Sequence, residues 1–196
     1  RAPGGNITGS TGFQVELAAK RLELMKEVAP RIKRVAVLTN SQNSNTQNYL
    51  RAMETAAKTL KLELHEFGVK AVEEFPGAFA AMAKKRVEAV ALAEGPLLNS
   101  NLGVIAALAA THRLPSVGLP TLPDGGGLLG YGANRPLLYG RAANFVDKIL
   151  KGTKPGDIPI ERATRFDLII NLKTAKTLGI KLNNELMLRA DKVIEW

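Results

Sequence analysis

Val35-Ala36-Val37-Leu38, followed at once by Thr39-Asn40-Ser41-Gln42-Asn43-Ser44-Asn45, decides how this chain is read. Four consecutive apolar residues are too uniform for a half-exposed strand and read as a parallel strand buried on both faces. The polar run after them reads as the turn at that strand's C-terminal end. Leu50, Met53, Ala57 and Leu60 then recur at helical spacing and predict a helix. Upstream, Ala18, Leu22, Met25 and Ala29 predict another from Val15 onward, stopped by Pro30.

The same alternation continues downstream. Leu62 to Val69 predicts a strand whose Glu63, His65 and Glu66 suit a more exposed position. Phe75, Phe79 and Met82 mark a helix, Ala89 to Ala93 a strand, Leu102, Ile105 and Ala109 a helix, and Ser116 to Leu119 a fourth strand. Strands and helices in strict alternation predict a three-layer α/β fold with a mostly parallel, Rossmann-like sheet, helices on both faces and right-handed crossovers. After the Pro/Gly-rich turn Pro120 to Gly127 the pattern changes. Leu128 to Tyr131 predicts a short strand, and Pro136 to Leu150 a helix with Leu138, Ala142, Phe145 and Ile149 inward. Lys151 to Pro159 reads as a loop, Phe166 to Ile170 as a strand, and Lys173 to Leu178 as a helix closed by Gly179. Asn184 to Val193 reads as a last helix, and Arg1 to Gly12 as a connection.

Composition narrows the function classes. The 196 residues are 45% hydrophobic and 23% charged, which is globular, and hold no apolar run near the roughly 20 residues of a membrane span. With no cysteine, disulfides and thiolate chemistry are excluded. The net charge of +9 raises the question of nucleic acid. Its short clusters, Arg31, Lys33 and Arg34, and Lys84, Lys85 and Arg86, sit where helices end, and the helix dipole accounts for them. No zinc-finger spacing or aromatic-rich strand accompanies them, so a nucleic-acid partner is not expected. Neither His65 nor His112 has neighbours at metal-ligand spacing, and no serine sits in a nucleophile elbow, so neither a metal nor a catalytic residue is nominated. Glu73 and Glu74 are adjacent around a helix and form no glycosidase pair. Gly125 to Gly130 spells the dinucleotide glycine pattern without the strand before it or the crossover helix after it, so no cofactor is expected.

What remains are polar loops at strand ends, where open α/β sheets bind ligands. The loop from Asn40, with Ser41 and Asn43, offers amides and a hydroxyl beside a helix N-terminus. The competing reading is ordinary turn chemistry, with Ser44 or Asn45 as helix cap. Glu94 to Asn101 is a second such loop: Glu94 could meet a ligand ammonium or be an exposed carboxylate in a Gly-Pro turn, and Asn99 could touch a ligand or start the next helix. Ser10 and Thr11 line the same cleft only if the leading segment folds back. Tyr131 to Asn134 reads equally as a cleft wall or a turn, with Gly132 permitting a close approach.

Pro3-Gly4-Gly5-Asn6-Ile7-Thr8-Gly9, Lys20 to Leu24, Arg34 to Leu38, Tyr131 to Asn134, Val146 to Gly152 and Phe166 to Ala175 occur in an order that resembles the later part of ABC-transporter substrate-binding proteins, the family with tryptophan-binding-like lipoproteins. The resemblance implies one lobe of a two-lobed periplasmic-binding protein plus crossover elements: residues 1–131 as the main lobe, 132–160 as a crossover helix and loop that pack on a missing N-terminal lobe, and 161–196 as the return strand and C-terminal helices. It implies a small organic solute, with amino acids among the candidates, held by Ser10, Thr11, Asn40 to Thr46, Glu94 and Tyr131 to Asn134. It further implies an ABC permease as partner and a periplasmic or extracytoplasmic site, with a lipid anchor on a full-length precursor. Leu138 and Phe145 would need cover without the other lobe, which makes self-association an expectation. A sensory or regulatory module is the alternative function, and an enzyme the less favoured one.

Overall fold

The computed structural model describes residues 3–195. In chain order the elements are β1 (Ser10–Thr11), α1 (Gln14–Val28), β2 (Arg34–Asn40), α2 (Thr46–Leu60), β3 (Glu63–Val69), α3 (Phe75–Lys84), β4 (Ala89–Leu92), α4 (Pro96–Asn99), α5 (Leu102–Thr111) and β5 (Ser116–Gly118). They continue with β6 (Leu129–Ala133), α6 (Arg135–Leu150), β7 (Glu161–Arg162), β8 (Phe166–Asn171), α7 (Leu172–Leu178), α8 (Asn184–Arg189) and β9 (Lys192–Ile194). The chain forms two compact units: residues up to Gln14 with Gly132–Phe166, and Val15–Tyr131 with residues from Asp167 on.

The larger unit is built around a sheet of order β3-β2-β4-β5-β6-β8-β9. β2 pairs in parallel with β3 on one side and β4 on the other, and β4–β5, β5–β6 and β8–β9 are parallel too. Asn171 N donates to Leu128 O at one end of the β6–β8 pair and Asn134 N to Arg165 O at the other, so those two strands run in opposite directions. The predicted mostly parallel α/β sheet is therefore present. Its period-2 side chains divide the core: Val35 and Val37 of β2 pack with Leu22 and Met25 of α1 and Met53 of α2, whereas Ala36 and Leu38 pack with Phe79 of α3 and Ile105 of α5. Helices thus cover both faces, and β2 is buried throughout its apolar stretch.

The chain's end departs from the expected helix. α8 stops at Arg189, and Lys192–Ile194 pair with Ile169–Asn171 as strand β9. Asp191 joins this turn twice, its N–H donating to Leu168 O and its Oδ2 accepting from Leu168 N. Val193 and Ile194 are β-branched, and an open sheet edge offers them a ladder that overrides the apolar periodicity running through 184–193. Trp196 lies outside the described residues.

In the smaller unit, β1 pairs in parallel with β7, Ser10 opposite Glu161 and Thr11 opposite Arg162. The stretch read as a connection thus contains one two-residue strand and the stretch read as a loop leads into another, both too short to carry an alternation. α6 starts at Arg135, with Pro136 in its first turn, behind the Asn134 cap, whose side chain accepts from Leu137 N. Phe145 is the buried residue of α6, while Tyr139 is 72% and Leu150 81% exposed.

Candidate functional site

The order β3-β2-β4 contains the sheet's topological switch: after β2 the chain moves outward to β3, then returns past β2 to β4. Doubly wound sheets bind ligands beyond the strand C-termini at such a point, because loops leaving adjacent strands in opposite directions open a crevice. Here the two segments are 40–46 after β2 and 93–101 after β4, the second holding the single turn of α4 where a plain loop was expected. They are tied together: Asn43 Nδ2 donates to Glu94 O at 3.0 Å. Gly95 permits this, since a Cβ there would lie 2.8 Å from Asn43 Nδ2.

Several polar groups in these loops are occupied by the loops' own architecture. Asn40 Oδ1 accepts from Gln42 N, Asn43 Oδ1 from Asn45 N, and the buried Thr46 Oγ1 donates to Asn40 O at 2.8 Å. These bonds are the turn chemistry proposed as the competing reading, although the Asn45 side chain does not cap α2. Ser41 N donates to Val69 O, fixing the loop against the end of β3, where Gly68 leaves room for the Ser41 side chain. Asn99 Oδ1 meets Gly95 N at 3.5 Å. Of the nominated side chains, Asn40 Nδ2, Ser41 Oγ and Asn99 Nδ2 carry no protein hydrogen bond among the described residues, and neither do the side chains of Gln42, Ser44 and Ser100 beside them.

Glu94 is not an exposed turn carboxylate. It is 4% exposed, and Arg21 Nη2 donates to its Oε1 at 2.5 Å. Arg21 itself is 1% exposed, and its Nε donates to Tyr131 O at 2.7 Å. This guanidinium was not singled out from the sequence. Its signal there is a charged residue between Ala18 and Leu22, on the apolar stripe of α1, where only a partnered charge can be buried.

The larger unit therefore brings together Asn40, Ser41, Asn43, Thr46, Glu94, Asn99 and Tyr131. Ser10, Thr11 and Asn134 belong to the smaller unit. Ser10 and Thr11 are exposed on β1, and Asn134 caps α6. Two grooves of the larger unit lie at the opposite, N-terminal edge of the parallel strands. One, of about 440 Å³, is lined by Val28, Ile32 and Ile180 among others, and one of about 390 Å³ by Asp124, Lys173 and Thr174 among others. Residues weighed and set aside in the sequence have structural duties: His112 stacks on Phe79, Glu74 Oε2 accepts from Lys70 N, and Gly125, Gly127 and Gly130 pack tightly against Gly103, Leu122 and Leu119. The two basic clusters meet at the N-terminal edge through Glu88, which accepts from Lys33 N and Arg34 N, while Arg34 Nε donates to Arg86 O.

These features define the doubly wound α/β class, with polar loops at its switch point. Residues 1–194 match the model of the ABC transporter substrate binding protein family, and the chain belongs to that family. It is 24% identical over 180 residues to the Tyrosine-binding protein of Clostridioides difficile (strain R20291), covering 91% of this chain and 51% of that protein. Its fold is shared with an ABC domain in complex with L-Trp from Streptococcus pneumonia (TM-score 0.86, 24% identity, 98% of this chain and 66% of that one). It is also shared with a conserved domain protein from Vibrio cholerae (TM-score 0.88, 23% identity, 98% and 64%). The chain thus spans about half to two thirds of the length of these relatives.

Proposed function

We propose that this chain supplies one solute-binding lobe of the substrate-binding component of an ABC importer, working outside the cytoplasm with a membrane permease. Its solute is a small zwitterion of the aromatic amino acid class, held at the switch point between β2 and β4. The observation that carries the reading is the Asn43–Glu94 tie at that point, with Asn40 Nδ2 and Asn99 Nδ2 uncommitted in the same two segments and Ser41 Oγ uncommitted on the β3 side of β2, beside Gly68. Such donors and a hydroxyl suit a solute carboxylate and ammonium, while the Glu94 charge is already balanced by Arg21. Relatives named for tyrosine binding, or seen with L-Trp, support the solute class.

An open strand edge buries too little of a solute for tight binding, so a second lobe must close over it. The part of the relatives that lies beyond the match supports such a lobe. So does α6, whose Tyr139, Val146 and Leu150 stay largely exposed, since apolar surface of this kind is normally covered. Self-association through that surface is the expected substitute in a shorter fragment.

The test is thermal unfolding and calorimetric titration of the full-length polypeptide with L-tryptophan, L-tyrosine and glucose. A solute at a hundred times its Kd adds about 2.7 kcal/mol of stability, so either amino acid should raise Tm by several degrees. A shift with glucose alone, or with none of the three, would refute the solute class.

A further inference from the structure

We propose that Arg21 is the positioning residue of this solute site, fixing the loop after β4 and the last residues of β6 before Gly132 in one register. The proposal rests on the reading of the β2–β4 switch point as the solute site. Arg21 leaves the middle of α1, far in sequence from both partners, and reaches two of them from one edge of its guanidinium. Nε donates to Tyr131 O at 2.7 Å and Nη2 to Glu94 Oε1 at 2.5 Å. Asn43 Nδ2 then donates to Glu94 O at 3.0 Å. One side chain therefore sets α1, the β4 loop and β6 relative to one another, and through Asn43 the β2 loop that carries Ser41.

A planar guanidinium suits this task because its donors are spaced by covalent geometry; a lysine ammonium could meet Glu94 but could not also reproduce the second donor's direction. The pair that Arg21 forms with Glu94 is buried. Both side chains are at least nine-tenths buried, and Arg21 Nη1 is buried without a partner among the described residues. A pair of this kind is a poor source of stability beside apolar residues of similar volume, and fixing register is the use that such pairs serve best. Tyr131 is the last residue of the larger unit before the chain passes to Gly132, so the bonds of Arg21 end both on the loop after β4 and on this crossing point.

The experiment uses the full-length polypeptide as wild type, Arg21→Lys, and the paired Arg21→Met/Glu94→Leu variant, which removes both charges at once. Hydrogen–deuterium exchange of the solute-free protein is read over 94–101, 129–131 and 40–46, with 63–69 as internal control, and L-tryptophan and L-tyrosine are then titrated. Arg21→Lys should speed exchange in the first three segments about tenfold, leave 63–69 unchanged, and weaken solute binding by a similar factor. The paired variant should recover Tm without recovering either protection or affinity. Wild-type exchange in Arg21→Lys, or a paired variant that regains protection and affinity along with Tm, would overturn the proposal and leave Arg21 as a space-filling core residue. If the wild type binds neither amino acid, the solute class fails, while the exchange data still decide the role of Arg21.

Discussion

Gly95→Ala should change sign with the residue at position 43. Gly95 has φ −177°, an extended angle open to any residue, so alanine meets no backbone strain there. Its Cβ would instead lie 2.8 Å from Asn43 Nδ2, while Asn43 Cγ at 3.7 Å and Asn40 Cβ at 3.9 Å are in ordinary contact. The amide must move, and the bond it gives to Glu94 O is lost or weakened. A net hydrogen bond is worth about 1 kcal/mol, and somewhat more when the abandoned acceptor is buried. Against this stands about 0.4–1 kcal/mol gained from a less flexible unfolded chain. Gly95→Ala should therefore destabilise the wild type by about 0.5–1.5 kcal/mol, or about 2–4 °C in Tm per kcal/mol for a chain of this size. In an Asn43→Ala background the obstacle is gone and the bond already absent. There the same substitution should stabilise by about 0.4–1 kcal/mol. Urea denaturation of the four proteins measures the cycle, with a coupling of about 1–2 kcal/mol expected. Equal effects of Gly95→Ala in both backgrounds would refute the tie between the two loops.

Further outcomes follow from the same geometry. Ser41→Ala removes a hydroxyl with no protein partner among the described residues, so stability should stay within about 0.5 kcal/mol while affinity for the bound amino acid falls about three- to tenfold by calorimetry. Gly130→Ala puts a Cβ 2.5 Å from Leu119 O and 2.8 Å from Pro120 Cα, which are backbone atoms that cannot step aside, and should cost upwards of about 2 kcal/mol. Gly140→Ala, inside α6 with nothing within 4 Å, should instead stabilise by about 0.5–1 kcal/mol, urea denaturation measuring both glycine variants. At Glu88, partial burial acts to raise the carboxyl pKa, but the N–H donors of Arg34 and Lys33 and their charges outweigh it and hold it below its ordinary 4.5. A depressed carboxyl stabilises the fold fully above its unfolded pKa. That contribution should fade as pH falls below 4.5 through the folded value, and Glu88→Gln should flatten this part of the stability–pH curve.

How far the residues alone lead depends on the range of the interaction. β2 and its polar loop were legible because the signal is local: a short apolar run and then a run of amides and hydroxyls. The helices around β2 were legible for the same reason, through stripes such as Leu50, Met53 and Ala57. β9 was not, since a strand of three residues is decided by the open edge beside Ile169–Asn171 and not by its own pattern. Nor could spacing tell that Asn43 spends its amide on Glu94 O while Ser41 Oγ stays uncommitted. The surroundings of Glu94 were hidden most completely, because its partner Arg21 lies 73 residues away and becomes a neighbour only when α1 packs on the sheet.

The proposed function depends on a solute held at the β2–β4 switch point. A crystal structure of the full-length polypeptide grown with L-tryptophan tests it most directly. The amino acid should lie beyond the C-termini of β2 and β4, within hydrogen-bond distance of Ser41 Oγ and Asn40 Nδ2, with Glu94 still on Arg21. An amino acid seated instead in the groove by Val28, Ile32 and Ile180, or loops 40–46 and 94–101 sealed under protein with no solute between, would contradict it.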